Sequence, residues 1–182
     1  QHSKELASWK EEGRTYYRIS GPDIATWYPN QLVHDGSLSG SGNGFEGIVR
    51  RLENDTAVVE LCINYRNAHH AVWGINARNR EQNFALNMLM DPAIDFVSLL
   101  GNAGTGKTLL TLAAGLAQVL DDRRYQEIIM TRATVPMGDD IGFLPGTEEE
   151  KMTPWMGALM DNLEVLSTAE GGEWGRAATN DL

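Results

Sequence analysis

The segment Gly101-Asn102-Ala103-Gly104-Thr105-Gly106-Lys107-Thr108 matches the pattern GxxxxGK[ST] at every fixed position, and it dictates what must surround it. Such a loop gathers its N–H groups on an anion only if a strand delivers it and a helix leaves from it, with the helix N-terminus facing the same point. The flanks comply. Residues 95–100 include Phe96, Val97, Leu99 and Leu100, a short apolar run suited to a buried parallel strand. Residues 107–120 are rich in Leu, Ala and Thr, lack proline and end at Asp121-Asp122, which predicts a mostly buried helix. The pattern alone arises by chance in about 1 in 100 chains of this length. Its placement between strand and helix makes a plain glycine-rich turn the weaker reading.

Each fixed residue has a chemical reason. Glycines at 101, 104 and 106 permit backbone conformations that a Cβ forbids, so successive N–H groups can turn inward toward phosphate oxygens. Lys107 is expected to reach the β- and γ-phosphates of a nucleoside triphosphate. The Thr108 hydroxyl is expected to ligate the Mg²⁺ that bridges them. Lys107 and Thr108 are therefore the catalytic candidates, and residues Gly101, Asn102, Ala103, Gly104, Thr105 and Gly106 complete the cradle.

Two compositional regions precede and contain this loop. From residue 15 to 73 the chain has short β-branched or aromatic runs at 15–19, 45–52, 57–63 and 70–75, separated by Gly, Pro, Asn and Asp clusters. They predict a small β-rich module over residues 1–75, with a hairpin turn at Asn54-Asp55. After Asn76 the alternation of helical and strand-like segments predicts an α/β domain with a parallel sheet over residues 76–182. Within the first region, Gly42-Asn43-Gly44-Phe45-Glu46-Gly47 formally fits GxGxxG, but no strand leads in and a β run leads out, so it reads as a loop. His69-His70 sit side by side on an expected strand and point to opposite faces, a poor arrangement for chelation.

Composition narrows the classes. The 182 residues are 42% apolar, enough for one good core with a small module attached. No run reaches the roughly 18 apolar residues needed for a membrane helix. Lys plus Arg number 15 against 25 Asp plus Glu, a net charge of −10, which argues against a chain-wide grip on nucleic acid. Local cations at Arg78, Arg80, Arg123 and Arg124 read as solvated helix ends. One cysteine, Cys62, cannot form an internal disulfide; it is expected as a buried strand thiol in a reducing cytoplasm. The initial Gln1 leaves open what comes before it.

Upstream of the loop, Phe84, Ala85, Met88 and Leu89 form a helical stripe that stops at Asp91-Pro92. Gln82 lies near the start of that helix. Its amide could pair with the donor and acceptor on the edge of adenine, although an exposed helix glutamine is more often surface.

Together these segments resemble the PhoH family of P-loop ATPases, related to superfamily 1 helicases. The residues that carry the likeness are Arg78-Asn79-Arg80-Glu81-Gln82, the run 99–112, Thr131-Arg132-Ala133-Thr134-Val135-Pro136-Met137-Gly138, Gly142-Phe143-Leu144-Pro145-Gly146 and 151–155. The resemblance spans about residues 73–166 and implies an incomplete RecA-like parallel sheet. It also implies that the β module is similar to the linker that joins a PIN nuclease domain to the ATPase in longer members. By the same resemblance Gln82 would read adenine, so ATP with Mg²⁺ is the expected ligand. Thr131 and Arg132 would meet a nucleic-acid backbone or order the ATP site, and RNA is the expected partner of the full-length protein. Ala133 stands where the family often has Pro, which weakens the match at that point.

A second acidic residue at the end of another strand should help hold the Mg²⁺, and none is recognised after Thr108. Asp139-Asp140 follows a loop and Asp161 falls in a helical stretch. The chain is therefore expected to stop inside its ATPase domain and to lack full catalytic competence. ATP hydrolysis coupled to RNA remodelling or unwinding is the leading expectation. The alternative is a nucleotide-binding regulatory or assembly module with negligible turnover, and self-association is left open.

Overall fold

The computed structural model describes residues 4–35, 44–131, 157, 161–166 and 168. They divide into two compact units, Gln1–Asn64 and Tyr65–Leu182.

The first unit is a five-stranded sheet in which every pairing is antiparallel, in the order β1-β2-β5-β4-β3. The strands are β1 Lys4–Glu11, β2 Arg14–Ser20, β3 Leu32–His34, β4 Glu46–Glu53 and β5 Thr56–Leu61. Two tight turns set the register. Glu12 and Gly13 have φ of 49° and 78°, and Asn54 has φ of 53° at the expected β4–β5 hairpin. These left-handed values match the twist of the strands they join. Alternation along the strands sends Ile19, Val49, Ala57 and Val59 to one face, where they are buried with Ile24. Tyr17 packs edge-on against Phe45 there, with ring centroids 5.4 Å apart.

The opposite face buries Ile48 and Val58 among polar and aromatic side chains. Glu60 is buried and accepts hydrogen bonds from Arg14 and, at 2.7 Å, from Arg50 Nε. Trp9 and Tyr16 stack at 5.7 Å, and the Arg18 guanidinium lies 5.9 Å from the Trp9 ring centre. Burial, and after it the Glu60 carboxylate, pushes the Tyr16 phenol above its ordinary range. Two strands escape a composition-based reading. β1 is exposed except at Trp9 and carries charged residues at both ends, as suits an edge strand whose charges discourage further pairing. β3 has only three residues.

The second unit is built on helices α1, Arg80–Leu89, and α2, Lys107–Leu116, the latter running into a wider π turn at Ala117–Asp121. Its core gathers Leu86 from α1, Leu110, Ala113 and Ala114 from α2, and Leu163 and Leu166 from helical residues 161–166. Gln118 ties the pair together: its Nε2 donates to Leu89 O at 3.2 Å and Ala114 O at 3.0 Å, while its Oε1 accepts from Arg124. Tyr65, Val72 and Trp73 bury in this same core, which is why residues 65–75 belong by contact to the helical unit although their composition continues the β region.

Several sequence expectations need correction. Residues 70–75 are not a strand. A 3-10 turn at Ala68–His70, capped by the Asn67 side chain on His69 N, leads to an isolated Val72–Ile75 bridge, so His69 and His70 lie on an exposed turn. Cys62 lies just past the end of β5 and is half-buried, not enclosed. Among the described residues no parallel sheet is formed, and the runs 95–100 and 127–130 are not strands. Phe96 is 85% exposed, Leu100 94% and Ile129 77%. An apolar run becomes a parallel strand only when a crossover brings a second strand alongside, and no described strand pairs with either run. No helix among the described residues is long and apolar enough to cross a membrane.

Candidate phosphate-binding site

The glycine loop leads into helix α2 as its spacing requires, although residues 95–100 before it form no strand. Gly104 and Gly106 take left-handed φ of 76° and 83°, and Gly106 is the N-cap of α2. A β-carbon is strained in that conformation, and one added at Gly106 would also come within 3.3 Å of Gln82 Nε2. No side chain caps the first turn of α2, so its N-terminal partial charge is left to whatever binds above it.

Lys107 closes the loop on itself. Its ammonium donates to Gly101 O at 3.0 Å, Asn102 O at 2.6 Å and Thr105 Oγ1 at 3.2 Å, which engages all three of its N–H donors. Thr105 Oγ1 donates in turn to Asn102 O at 2.9 Å. The positive charge is thereby held against two loop carbonyls and one loop hydroxyl, all of them neutral acceptors. Ala103 and Thr108 are exposed on the same loop and first turn.

Gln82 joins this loop to α1. Its backbone N–H donates to the Asn79 side chain at 2.8 Å, and its Oε1 accepts from Arg78 N at 2.8 Å. This is a variant of the capping box, with the glutamine reaching one residue beyond the cap. Its Nε2 donates to Thr105 O at 3.2 Å, across 23 positions of sequence. Each amide atom has used one hydrogen bond and retains capacity for one more. The Asn-x-x-Gln spacing carried the capping signal in the sequence; the link to Thr105 had no local signal.

Between α1 and the loop lies a cleft of about 660 Å³, lined among others by Ile75, Asn79, Gln82, Thr105, Gly106 and Leu109. Backbone N–H groups at an uncapped helix start, an ammonium and a hydroxyl suit a triphosphate whose Mg²⁺ draws most of its ligands from phosphate and water. The exposed Thr108 hydroxyl could contribute to the ion. No group of three His, Cys, Asp or Glu that could hold a metal occurs among the described residues. Thr131 is exposed. Arg132, the segments 133–138 and 142–146, Asp139-Asp140 and residues 151–155 lie outside the described residues.

Comparison with known proteins points to one family. The family model described as PhoH-like protein matches residues 74–173. Protein PhoH2 of Bacillus subtilis (strain 168) is 42% identical over 158 residues, covering 87% of this chain and 34% of that protein. Protein PhoH2 of Thermobispora bispora is 46% identical over 100 residues, 54% of this chain and 23% of the relative. Protein PhoH2 of Mycolicibacterium smegmatis is 45% identical over 98 residues, 53% of this chain and 22% of the relative. The chain thus spans about a third or less of the length of these relatives. No solved structure matches it. With loop, flanking helix and family match in agreement, the chain belongs to the PhoH family and carries that family's nucleotide-binding P-loop.

Proposed function

We propose that this chain binds ATP with Mg²⁺ at residues 101–108 and that, in the longer protein, the site hydrolyses ATP to drive binding or remodelling of RNA. The observation that carries the reading is the Lys107 ammonium, held by Gly101 O, Asn102 O and Thr105 Oγ1 directly before the uncapped start of α2. Anionic oxygens are stronger acceptors than the neutral carbonyls they would displace, so phosphate entry strengthens each bond that the ammonium makes. Gln82 supplies the base preference: its remaining donor and acceptor complement the N7 and amine of adenine and oppose the carbonyl of guanine. Thr131 and Arg132 open the segment 131–138 that carries part of the likeness to the PhoH family. Thr131 and Arg132 are the nucleic-acid candidates. The cytoplasm is the proposed setting, where the lone thiol of Cys62 stays reduced.

The test is Lys107→Ala with calorimetric titration of ATP·Mg²⁺. Binding should fall by at least about 100-fold, since a charge-assisted contact to phosphate is removed. The thermal unfolding midpoint should hold, because the ammonium bonds only to the loop. Equal affinity in the variant and the parent chain would refute the phosphate site.

A further inference from the structure

A nucleotide whose phosphates rest on the glycine loop must place its base somewhere beside that loop, and the adjoining cleft has an unusual wall. Trp73 and Gly74 both have left-handed φ, 46° and 69°. Val72 N donates to Ile75 O and Ile75 N to Val72 O, each at 2.9 Å, so the four residues form a closed two-residue hairpin turn. A bulky residue in the left-handed region is strained, and such strain persists only where the surroundings over-determine it. Here the Trp73 indole is buried in the helical core and anchors the turn.

The next residues are equally constrained. Asn76 Nδ2 donates to Tyr65 O at 3.0 Å and Asn67 O at 2.8 Å, and Ala77 N donates to Tyr65 O at 3.0 Å. Arg78 N then meets Gln82 Oε1. Between these pinned positions Ile75 is half-buried, packed against the core and lining the cleft. Leu109, also half-buried, lines it from α2. A nucleobase has apolar faces and a polar edge, so a site for one needs apolar side chains beside a reading amide.

We propose that the Trp73-Gly74 turn holds Ile75 as the apolar wall against which the base of a nucleoside triphosphate lies, with Leu109 extending that surface and Gln82 at the base edge. This rests on the phosphate-loop reading above and adds a residue that sets affinity for the base without touching phosphate. The wall is pre-organised, because its backbone is pinned by the turn and by Asn76 before any ligand arrives.

The experiment titrates the 182-residue chain and its variants with ATP·Mg²⁺ and, separately, with Mg²⁺-tripolyphosphate, which has no base. Ile75→Ala should weaken ATP by about tenfold, the loss expected for just under two buried methylene equivalents of this half-buried side chain, and leave tripolyphosphate within about twofold. ATP affinity unchanged in Ile75→Ala overturns the proposal. If Ile75→Ala loses both ligands together, the near-isosteric pair Ile75→Val and Ile75→Thr decides. Weaker ATP binding by Ile75→Thr alone, with equal tripolyphosphate binding, supports the wall; equal ATP binding by the pair overturns it. A parent chain that binds neither ligand refutes the phosphate loop and the wall with it, whereas tripolyphosphate binding without any Ile75 effect on ATP refutes the wall only.

Discussion

The antiparallel sheet and the helical unit treat their apolar runs in opposite ways. In the sheet, β4 and β5 lie next to each other in sequence, joined through Asn54, and bury Val49, Ala57 and Val59 between ladder partners. In the helical unit, the runs 95–100 and 127–130 are just as apolar, yet Phe96, Leu100 and Ile129 face solvent. The difference is the distance to a partner. A hairpin brings its second strand within two residues, whereas a parallel strand waits for a crossover of a dozen or more. Strand propensity and hydrophobicity are therefore sufficient for β4 and β5 and insufficient in the second unit.

If the sheet is self-sufficient, damage to its interior should be costly and confined to it. Glu60→Ala leaves Arg14 and Arg50 without the carboxylate that both contact. Removing one partner of a buried ion pair costs roughly 3 kcal/mol or more; because the Arg14 side chain is 35% exposed and solvent will screen it, we expect about 2 kcal/mol. Denaturant titration followed through Trp fluorescence would measure it. ATP affinity should hold, and a parallel fall in ATP affinity would break the separation of the two units.

The nucleotide cleft sharpens the same comparison, because its specificity depends on a contact across 23 residues and not on a ladder. Gln82→Ala should reduce the preference for ATP over GTP, expected at about 5- to 150-fold, chiefly by weakening ATP. An opposed or unsatisfied polar group costs about 1–3 kcal/mol, and 1.4 kcal/mol is a factor of ten. Competition of ATP and GTP against a fluorescent nucleotide gives both ratios. An undiminished preference would reduce Gln82 to its capping role at α1.

The smallest effect belongs to the exposed run. Phe96→Ser should change stability by less than about 0.5 kcal/mol, as for surface substitutions away from packed features. A loss near 2 kcal/mol in urea titration would mean that Phe96 is covered in solution, and the contrast between the two units would fail at that residue.

Local chemistry alone determined a good part of this protein. Asn54 at a hairpin, Asn79 and Gln82 at a helix start, the stop at Asp91-Pro92 and the glycine loop with Lys107 and Thr108 are all readable because each depends on near neighbours, at most the span of Gly101 to Thr108. Tertiary structure decided the rest. It turned Lys107 onto Gly101 O and Asn102 O, brought the Gln82 amide to Thr105, and buried the Trp73 indole so that a left-handed turn is held at Ile75. It also made a strand of the exposed segment β1, whose pairing with β2 is set by the Glu12-Gly13 turn and not by hydrophobicity. The physical reason is common to all four: periodicity records which face of an element is apolar, but not what that face will meet.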